Sequence, residues 1–240
     1  MEKVTIGQCE LWHGDCMEYM ATLPDKAFDL AIVDPPYGIG MDGGSIGKGN
    51  QFAKKCWDKE TPKIDYFNEL MRVSNIQIIW GGNYFCDKLP ISKGWIYWDK
   101  MQDGFGKTFS TGELAWTSVD IPMKQIRYQW QGNYCGFEGN TTTKTKTGEL
   151  NIHPTQKPIK LYEWLLTNYA KPGQRILDTH LGSGSSAIAA NNMGFEFVGC
   201  ELDDDYFKSA CSRIEQAGSQ GKLFDVPISD KPEQLEMMAK

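Results

Sequence analysis

Residues 174–201 read QRILDTHLGSGSSAIAANNMGFEFVGCE, and this stretch decides the fold. The apolar runs 174–178 and 195–201 are typical of buried strands, and the stretch 185–193 between them is typical of a helix. Alternating strands and helices predict an α/β fold with a mostly parallel, doubly wound sheet that is covered on both faces. Further strands are predicted at 28–34, 95–100 and 113–118, and a strand followed by a turn at 75–83. Further helices are predicted at 64–73, from Pro158 onward and at 206–216.

A glycine turn joins the first of these strands to the helix. It contains Gly182, Gly184 and Ala187 in the pattern G-x-G-x-x-A, shortly after Asp178. Such glycines let backbone amides approach a ligand at a helix N-terminus, and an acid that ends the next strand, here Glu201, can accept hydrogen bonds from both hydroxyls of a ribose. The pattern therefore predicts a site for a nucleoside cofactor. A tight turn with a solvated Glu201 is the alternative, and the glycine pattern alone also permits a nicotinamide-dependent oxidoreductase.

The composition restricts the class of protein. The chain has 240 residues, of which 40% are hydrophobic and 23% are charged, as in globular domains and unlike disordered or coiled-coil chains. No apolar run approaches the roughly 18 residues of a membrane span, and the first residues contain no apolar signal segment. The seven cysteines include no C-x-x-C pair, and the three histidines lack the spacing of metal ligands. We therefore expect a cytoplasmic protein without a metal site.

Positive charge is concentrated in one part of a chain whose formal net charge is −6. Residues 121–160 contain six basic side chains and two acidic ones. The segment 119–152 also lacks the periodicity of strands and helices. This surplus of positive charge, to which Arg127, Lys144 and Lys146 contribute, predicts one positive face on an otherwise acidic protein. Surface lysines without a common partner are the alternative.

The segment FDLAIVDPPY (28–37) ends a buried strand at an acid and two prolines. Neither Pro35 nor Pro36 has an N–H group to donate, and each fixes its φ angle, so the turn is rigid. The turn offers the carboxylate of Asp34, backbone carbonyls and the ring of Tyr37. The exocyclic amine of a nucleobase donates two hydrogens, so acceptors beside a stacking ring suit it. An ordinary proline-rich turn is the alternative.

The motif DPPY (34–37) resembles the catalytic signature of the amino-group DNA methyltransferases, which use S-adenosylmethionine. Six further segments resemble this family in its order and extend the resemblance over residues 10–213. They are HGD (13–15), IIWGGNYF (78–85), WIYWDK (95–100), HPTQKP (153–158), LDTHLGSGSS (177–186) and CELDDDY (200–206). The catalytic motif precedes the glycine loop, which is similar to the circularly permuted beta group of the family. The resemblance implies a permuted, Rossmann-like methyltransferase sheet with Asp15, Asp34, Asp178 and Glu201 at the carboxyl ends of neighbouring strands.

The resemblance also implies a role for each site residue. Asp34, Pro35, Pro36 and Tyr37 would be catalytic, with Asp34 and the Pro35 carbonyl accepting from the target amine and Tyr37 stacking on a flipped-out base. S-Adenosylmethionine would be the methyl donor, with its adenine amine on Asp15 and its ribose on Glu201. Lys157 would bind its carboxylate. The other residues implied around its methionine part are Asp178, Gly182, Ser183, Gly184, Ser185, His153 and Thr155.

Adenine is the predicted target base. In this family, Asp instead of Ser at position 34 favours adenine N6 over cytosine N4. None of the seven cysteines follows a proline, which disfavours methylation of cytosine at carbon 5. Three alternatives stay open: an N4-cytosine enzyme, an enzyme that acts on RNA, and a DNA-binding regulator that has the fold without the activity.

One catalytic methyltransferase domain is predicted over residues 1–217, followed by a polar tail at 218–240. Within the domain, the glycine- and lysine-rich stretch 38–60 is predicted to be a mobile lid in which Lys48 contacts DNA. The segment 119–152 is predicted to be an inserted target-recognition segment that contacts DNA and reads its sequence through Arg127, Lys144 and Lys146. The expected partner is DNA, with no membrane contact, and the resemblance also allows a homodimer and a paired restriction endonuclease.

Overall fold

The structure is a computed structural model, and it describes residues 1–42, 54–100, 110–131, 134–135 and 152–219. Within these residues the chain alternates between strands and helices. The strands are β1 (Glu2–Ile6), β2 (Cys9–His13), β3 (Phe28–Val33), β4 (Ser74–Trp80), β5 (Trp95–Asp99), β6 (Gly112–Thr117), β7 (Lys124–Arg127), β8 (Trp130–Gln131), β9 (Tyr134–Cys135), β10 (Arg175–Asp178) and β11 (Glu196–Glu201). The α-helices are α1 (Cys16–Ala21), α2 (Ile64–Val73), α3 (Ile159–Tyr169), α4 (Ser185–Met193) and α5 (Asp204–Ser219), and a 3₁₀ helix spans Gly82–Tyr84.

Nine of the strands form one sheet in the order β1-β2-β11-β10-β3-β4-β6-β5-β7. The five strands from β2 to β4 in this order run parallel to one another. Antiparallel pairs join β1 to β2, β4 to β6 and β5 to β6, while β7 runs parallel to β5. The predicted α/β fold with a mostly parallel sheet is confirmed.

Both faces of the sheet are covered. Along β3, Leu30 and Ile32 belong to one buried cluster, which includes side chains of α3, α4 and α5. The alternating residues Ala31 and Val33 belong to a second cluster, which includes side chains of α1 and α2. Because successive side chains of a strand point to opposite faces, these two clusters lie on opposite sides of the sheet. The sheet is therefore doubly wound, as predicted.

The sheet joins the two ends of the described chain. The N-terminal strand β2 pairs in parallel with β11, and β10 lies between β11 and β3. The glycine-loop strand therefore lies beside the strand that leads into the DPPY turn, although the two are far apart in sequence. This order agrees with the predicted circular permutation.

Part of the predicted target-recognition segment belongs to the sheet. Residues 124–127 form β7, which pairs with β5, and Ile126 is the only buried residue of that strand. An edge strand with one buried side chain carries little hydrophobic periodicity, which explains why the sequence did not predict it. The boundaries predicted for 119–152 therefore include an edge of the sheet. The resemblance implied a strand that ends at Asp15, and β2 is that strand, whereas β1 and α1 were not predicted.

Among the described residues, no helix combines the length and the apolar character that a membrane span requires.

Candidate active site

Four acidic residues lie along one edge of the sheet. Asp15 follows β2, Glu201 ends β11, Asp178 ends β10 and Asp34 follows β3, and these four strands are parallel neighbours in that order. In open α/β sheets the crevice at the carboxyl ends of the strands is the usual place for a ligand. The four acids predicted to line the site are therefore at the same edge.

Asp34 lies at the centre of a buried hydrogen-bond cluster. The Tyr37 hydroxyl donates to Oδ1 of Asp34 at 2.6 Å, and Lys157 Nζ donates to Oδ2 at 2.5 Å. Lys157 Nζ also lies 3.2 Å from the Tyr37 hydroxyl oxygen. Burial raises the pKa of Asp34, whereas the positive charge of Lys157 lowers it. Both carboxylate oxygens thus have a partner in the free protein.

Glu113, on β6, joins this cluster from the other side of Lys157. Its Oε2 lies 3.2 Å from Lys157 Nζ, and its Oε1 forms an ion pair with Lys100. Burial by itself would raise the pKa of Glu113, but the charges of Lys157 and Lys100 outweigh it and lower that pKa to about 2. The charges therefore alternate through Asp34, Lys157, Glu113 and Lys100.

Aromatic rings surround the DPPY turn. The ring of Tyr37 stacks on that of Tyr84 with a centroid distance of 5.0 Å and an interplanar angle of 15°. Gly81, directly after β4, has a φ of +70°, and a Cβ atom there would come within 2.2 Å of the Tyr37 ring. Tyr84 remains 42% exposed. A flat and partly open aromatic face therefore lies beside the Asp34 carboxylate.

The glycine loop is bound tightly to Glu201. The backbone N–H of Gly182 donates to Oε2 of Glu201 at 2.8 Å, and the N–H of Asp203 donates to Oε1 at 2.9 Å. Gly182 and Gly184 both have positive φ angles, of +52° and +75°. Side chains with a Cβ rarely adopt such angles, which explains the two glycines. Their placement orients Glu201 toward the loop.

Asp178 and Arg213 hold the other side of this loop. Asp178 accepts hydrogen bonds from the Ser186 hydroxyl at 2.6 Å and from the backbone N–H of His180 at 3.0 Å. Arg213 donates to the Ser183 carbonyl at 2.7 Å and to the Ser185 hydroxyl at 2.9 Å. The hydroxyls of Ser183 and Ser185 are 3.1 Å apart, and both residues are buried. Their side chains therefore shape the loop from within the protein.

Negative charge accumulates at this edge. Burial, together with the nearby charges of Asp34 and Glu201, raises the pKa of Asp178 to about 7. Burial also raises the pKa of Glu201, which hydrogen bonds from the backbone lower in part. A cationic ligand would relieve this repulsion, whereas an anionic one would increase it.

Residues 54–58, which lie near the end of the predicted lid, contact this edge. Lys55 Nζ pairs with Asp203 and Asp205, each at 2.6 Å, and lies 4.8 Å from the ring centre of Tyr206. The ring of Trp57 stacks on His153 with centroids 5.3 Å apart, and His153 lies 4.4 Å from Tyr206. Burial lowers the pKa of His153 to about 3, so its ring is neutral at neutral pH. These rings form an aromatic cluster over the glycine loop.

The start of the predicted lid is also ordered by a carboxylate. Asp58 accepts hydrogen bonds from the backbone N–H groups of Gly38 at 2.7 Å and Met41 at 2.8 Å. Residues 38–41 and 54–58 are therefore bound to each other. Residues 43–53, which include Lys48, lie outside the described residues.

The structure brings most of the predicted site residues together, with four qualifications. Lys157, predicted to bind the donor's carboxylate, lies instead between the carboxylates of Asp34 and Glu113. Asp15 is exposed, but its Oδ1 accepts from Met17 at 2.8 Å and caps α1. Arg127 lies on β7 and pairs with Asp99 at 2.9 Å. Lys144 and Lys146 lie outside the described residues.

Sequence reasoning missed several residues of the site. They are Lys55, Trp57, Tyr84, Lys100, Glu113 and Tyr206. Tyr84, Lys100 and Tyr206 lie within the segments IIWGGNYF, WIYWDK and CELDDDY, whereas Glu113 begins a predicted strand and belongs to no motif. A carboxylate at the start of an otherwise apolar strand was the available signal for Glu113.

Comparisons with known proteins agree with this geometry. Residues 87–212 match the model of the N6_N4_Mtase family, described as DNA methylase. The chain is 25% identical over 241 residues to the type II methyltransferase M1.MboII of Moraxella bovis, covering 82% of this chain and 92% of that protein. The fold is similar to that of M1.HpyAVI in its complex with SAM (TM-score 0.54, 20% identity, 86% of this chain and 98% of the other). It is also similar to the cytosine-N4-specific PvuII DNA methyltransferase (TM-score 0.55, 13% identity, 88% and 90%).

Proposed function

The chain belongs to the N6_N4_Mtase family of DNA methylases, and from this membership we propose that it methylates the exocyclic N6 amine of adenine in DNA, with S-adenosylmethionine as the methyl donor. The observation that carries the proposal is the position of Asp34 beside the glycine loop. Asp34 follows β3, the loop follows β10, and these two strands are hydrogen-bonded neighbours. An acceptor that suits an amine and a glycine loop that suits a nucleoside donor thus lie at the same edge of the sheet.

The residues at this edge fit S-adenosylmethionine. When bound, this donor supplies a methyl group on a positively charged sulfur. Glu201 would accept from its ribose hydroxyls and Asp15 from its adenine amine. Asp178 and the loop from Gly182 to Ser185 would hold its methionine part. The raised pKa of Asp178 supports a cationic ligand, because a positive charge would favour the ionised carboxylate.

His153 and Thr155 would cover the donor on the side opposite to the glycine loop. The backbone N–H of Thr155 donates to Nδ1 of His153 at 3.3 Å, which holds the imidazole beside the Trp57 ring. The ring atoms of His153 lie 3.8 to 3.9 Å from the position of a Cβ on Gly182. An aromatic and neutral ring therefore faces the glycine loop.

Asp34 would accept one hydrogen of the target amine through Oδ1, where the Tyr37 hydroxyl now donates. The carbonyl of Pro35 would accept the other hydrogen. These two bonds favour a pyramidal nitrogen whose lone pair is free to attack, and the contribution is one of orientation and electrostatics. The nitrogen bonds to the methyl carbon as the carbon–sulfur bond breaks, and it then releases a proton to Asp34 or to water. The buried carboxylate of Asp34 suits the positive charge that grows on the nitrogen.

Tyr37 and Tyr84 would receive the base. A base inside a duplex hides its amine in the stack, so it has to be flipped out before it can react. The stacked pair of tyrosines offers it a flat surface next to Asp34. Pro35 is buried and Pro36 partly so, which keeps the turn that carries Asp34 and Tyr37 rigid.

Lys157 receives a different role from the one predicted. Its ammonium is nearly buried and pairs with Asp34, so it stabilises the ionised state of the acid that accepts the amine. DNA contacts are proposed for Arg127, Lys144, Lys146 and Lys48, as the basic character of their segments suggests.

Mass analysis of nucleosides tests the choice of base. The purified protein would be incubated with unmethylated DNA of mixed sequence and with deuterated-methyl S-adenosylmethionine. The proposal predicts labelled N6-methyladenine and no labelled N4-methylcytosine. Label on cytosine alone would assign the N4 reaction, and the absence of label from any base, with the donor bound, would indicate a regulator without activity.

A further inference from the structure

We propose that Glu113 is a positioning residue for methyl transfer, which acts on Asp34 through Lys157. The inference rests on the proposed function, because it concerns the reaction at Asp34. It assigns a role to a carboxylate that belongs to none of the motifs of the site.

The geometry places one ammonium between two carboxylates. Lys157 Nζ is 2.5 Å from Oδ2 of Asp34 and 3.2 Å from Oε2 of Glu113. The Lys157 side chain is only 3% exposed, while those of Asp34 and Glu113 are 17% and 23% exposed. The lysine is therefore fixed by its two partners, and water has little access to its charge.

Glu113 is itself held in place. It lies on β6 opposite Trp98 of β5, and its Oε1 pairs with Lys100, one residue beyond the end of β5. Lys100 Nζ lies 4.8 Å from the ring centre of Trp98. The position of Glu113 is thus set by the antiparallel pair β5 and β6, independently of the DPPY turn.

The net charge of the groups around Asp34 matters for the reaction. The Asp34 carboxylate has to accept the amine and balance the positive charge that grows on its nitrogen. The formal charge of Asp34, Lys157, Glu113 and Lys100 together is zero, because two carboxylates pair with two ammonium groups. Loss of Glu113 would leave a net charge of +1 beside a nitrogen that becomes positive, which slows the reaction.

A purely structural ion pair is the competing explanation. Buried ion pairs often contribute little net stability, because the loss of hydration offsets their attraction. The two explanations differ in what they predict for the removal of both Glu113 and Lys100. If charge balance is what matters, removing both restores it, whereas if the contacts matter for the fold, removing both is at least as harmful as removing one.

The experiment compares Glu113→Gln, Lys100→Gln and the double variant with the wild type. Single-turnover methyl transfer to DNA would be measured over a range of pH, with S-adenosylmethionine affinity and melting temperature as checks on the fold. We expect Glu113→Gln to lower the rate on its upper pH plateau about tenfold with unchanged donor affinity, and the double variant to recover most of it. Glu113→Asp should keep more activity than Glu113→Gln, since it retains the charge.

The pH dependence of the methyl-transfer rate is a second readout, which would not change if Glu113 had only a structural role. Within the part of the chain that the structure describes, the charged or titratable groups around Asp34 are Tyr37, Lys157, Glu113, Lys100, Tyr162 and Asp178. Because the charge of Glu113 raises the pKa of Asp34, Glu113→Gln should move the acid limb of the rate to lower pH by about one unit, and Lys100→Gln should move it to higher pH.

The possible results distinguish a failure of the proposed function from a failure of the role proposed for Glu113. A wild type that binds the donor but transfers no methyl group would contradict the proposed function itself. With an active wild type, an unchanged rate and pH profile in Glu113→Gln would overturn the role of Glu113, as would a double variant slower than either single one. If Glu113→Gln fails to fold, Lys100→Gln provides the test. An acid limb of the rate at the same pH in Lys100→Gln as in the wild type would then overturn the role of Glu113.

Discussion

Lys157 Nζ lies 2.5 Å from Oδ2 of Asp34, although 123 positions separate the two residues in the chain. This contact joins the segment around HPTQKP to the end of β3. The same segment carries His153, whose ring packs on Tyr206 and Trp57. One short stretch of chain therefore extends from Asp34, the proposed acceptor of the target amine, to the aromatic cluster over the glycine loop.

The ion pairs between Lys55 of the predicted lid and the carboxylates of Asp203 and Asp205 should strengthen the binding of S-adenosylmethionine. Lys55→Ala removes its ion pairs with Asp203 and Asp205, which follow Glu201 closely in the chain. We expect the dissociation constant for S-adenosylmethionine to rise about fivefold, because a partly exposed ion pair contributes about 1 kcal/mol. Calorimetric titration at low and at high salt measures this, and the effect should shrink at high salt.

Lys54→Ala is the matched control, since it removes the same charge from an exposed neighbour. Equal donor affinity in the two variants would show that the ion pairs of Lys55 play no part in binding.

The buried carboxyl of Asp178 should make stability depend on pH. Its pKa of about 7 in the folded protein lies above the ordinary value of 3.8, so the folded state binds more protons between these two values. Stability due to this group is therefore lost as the pH rises from 4 to 8. Relative to Asp178→Asn, the free energy of unfolding of the wild type should fall by about 2 to 4 kcal/mol over that range.

Denaturant unfolding at several pH values measures this difference. Asp87→Asn, at an exposed position, is the control and should leave the pH dependence of the wild type in place. A constant difference between the wild type and Asp178→Asn from pH 4 to pH 8 would contradict the prediction. The Asn variant should also bind S-adenosylmethionine less tightly, because a negative charge near its cationic groups is lost.

The basic residues of the predicted target-recognition segment should contribute to DNA affinity through phosphates. Replacing Arg127, Lys144 and Lys146 together with Gln should weaken binding. It should also reduce the slope of log affinity against log salt by about 3, since each phosphate contact contributes about 0.9. Fluorescence anisotropy with a labelled duplex measures the slope. Lys171→Gln serves as a single-charge control, because Lys171 lies in the connection before β10, at the amino ends of the parallel strands.

If the triple variant has the same slope of log affinity against log salt as the wild type, this segment serves folding or contacts between subunits instead of DNA binding.

Much of the fold was predictable because the central strands are apolar runs with clear ends. β3 and β11 fall within one residue of their predicted bounds, and the helix predicted at 64–73 is α2. The first 21 residues were harder, because β1 is an exposed edge strand and α1 is only six residues long. Such short elements are stabilised by their neighbours in the sheet and contain little pattern of their own.

The site was predictable where one motif carries the chemistry and unpredictable where two segments meet. Asp34 and Tyr37 are neighbours in sequence, so their hydrogen bond follows from a local turn. The pairing of Lys157 with Asp34 and Glu113 joins three distant segments, and no local pattern contains it. The resemblance therefore supplied the residue Lys157 but not its partners.

The central claim is that the Asp34 carboxylate accepts the target amine in a crevice that it shares with the donor. Transfer of a tritiated methyl group from S-adenosylmethionine to unmethylated DNA, measured for the wild type and for Asp34→Ala, tests it most directly. We expect the variant to lose at least about a thousandfold in rate while it binds S-adenosylmethionine within about threefold of the wild-type affinity. Methyl transfer by Asp34→Ala at the wild-type rate would contradict the account.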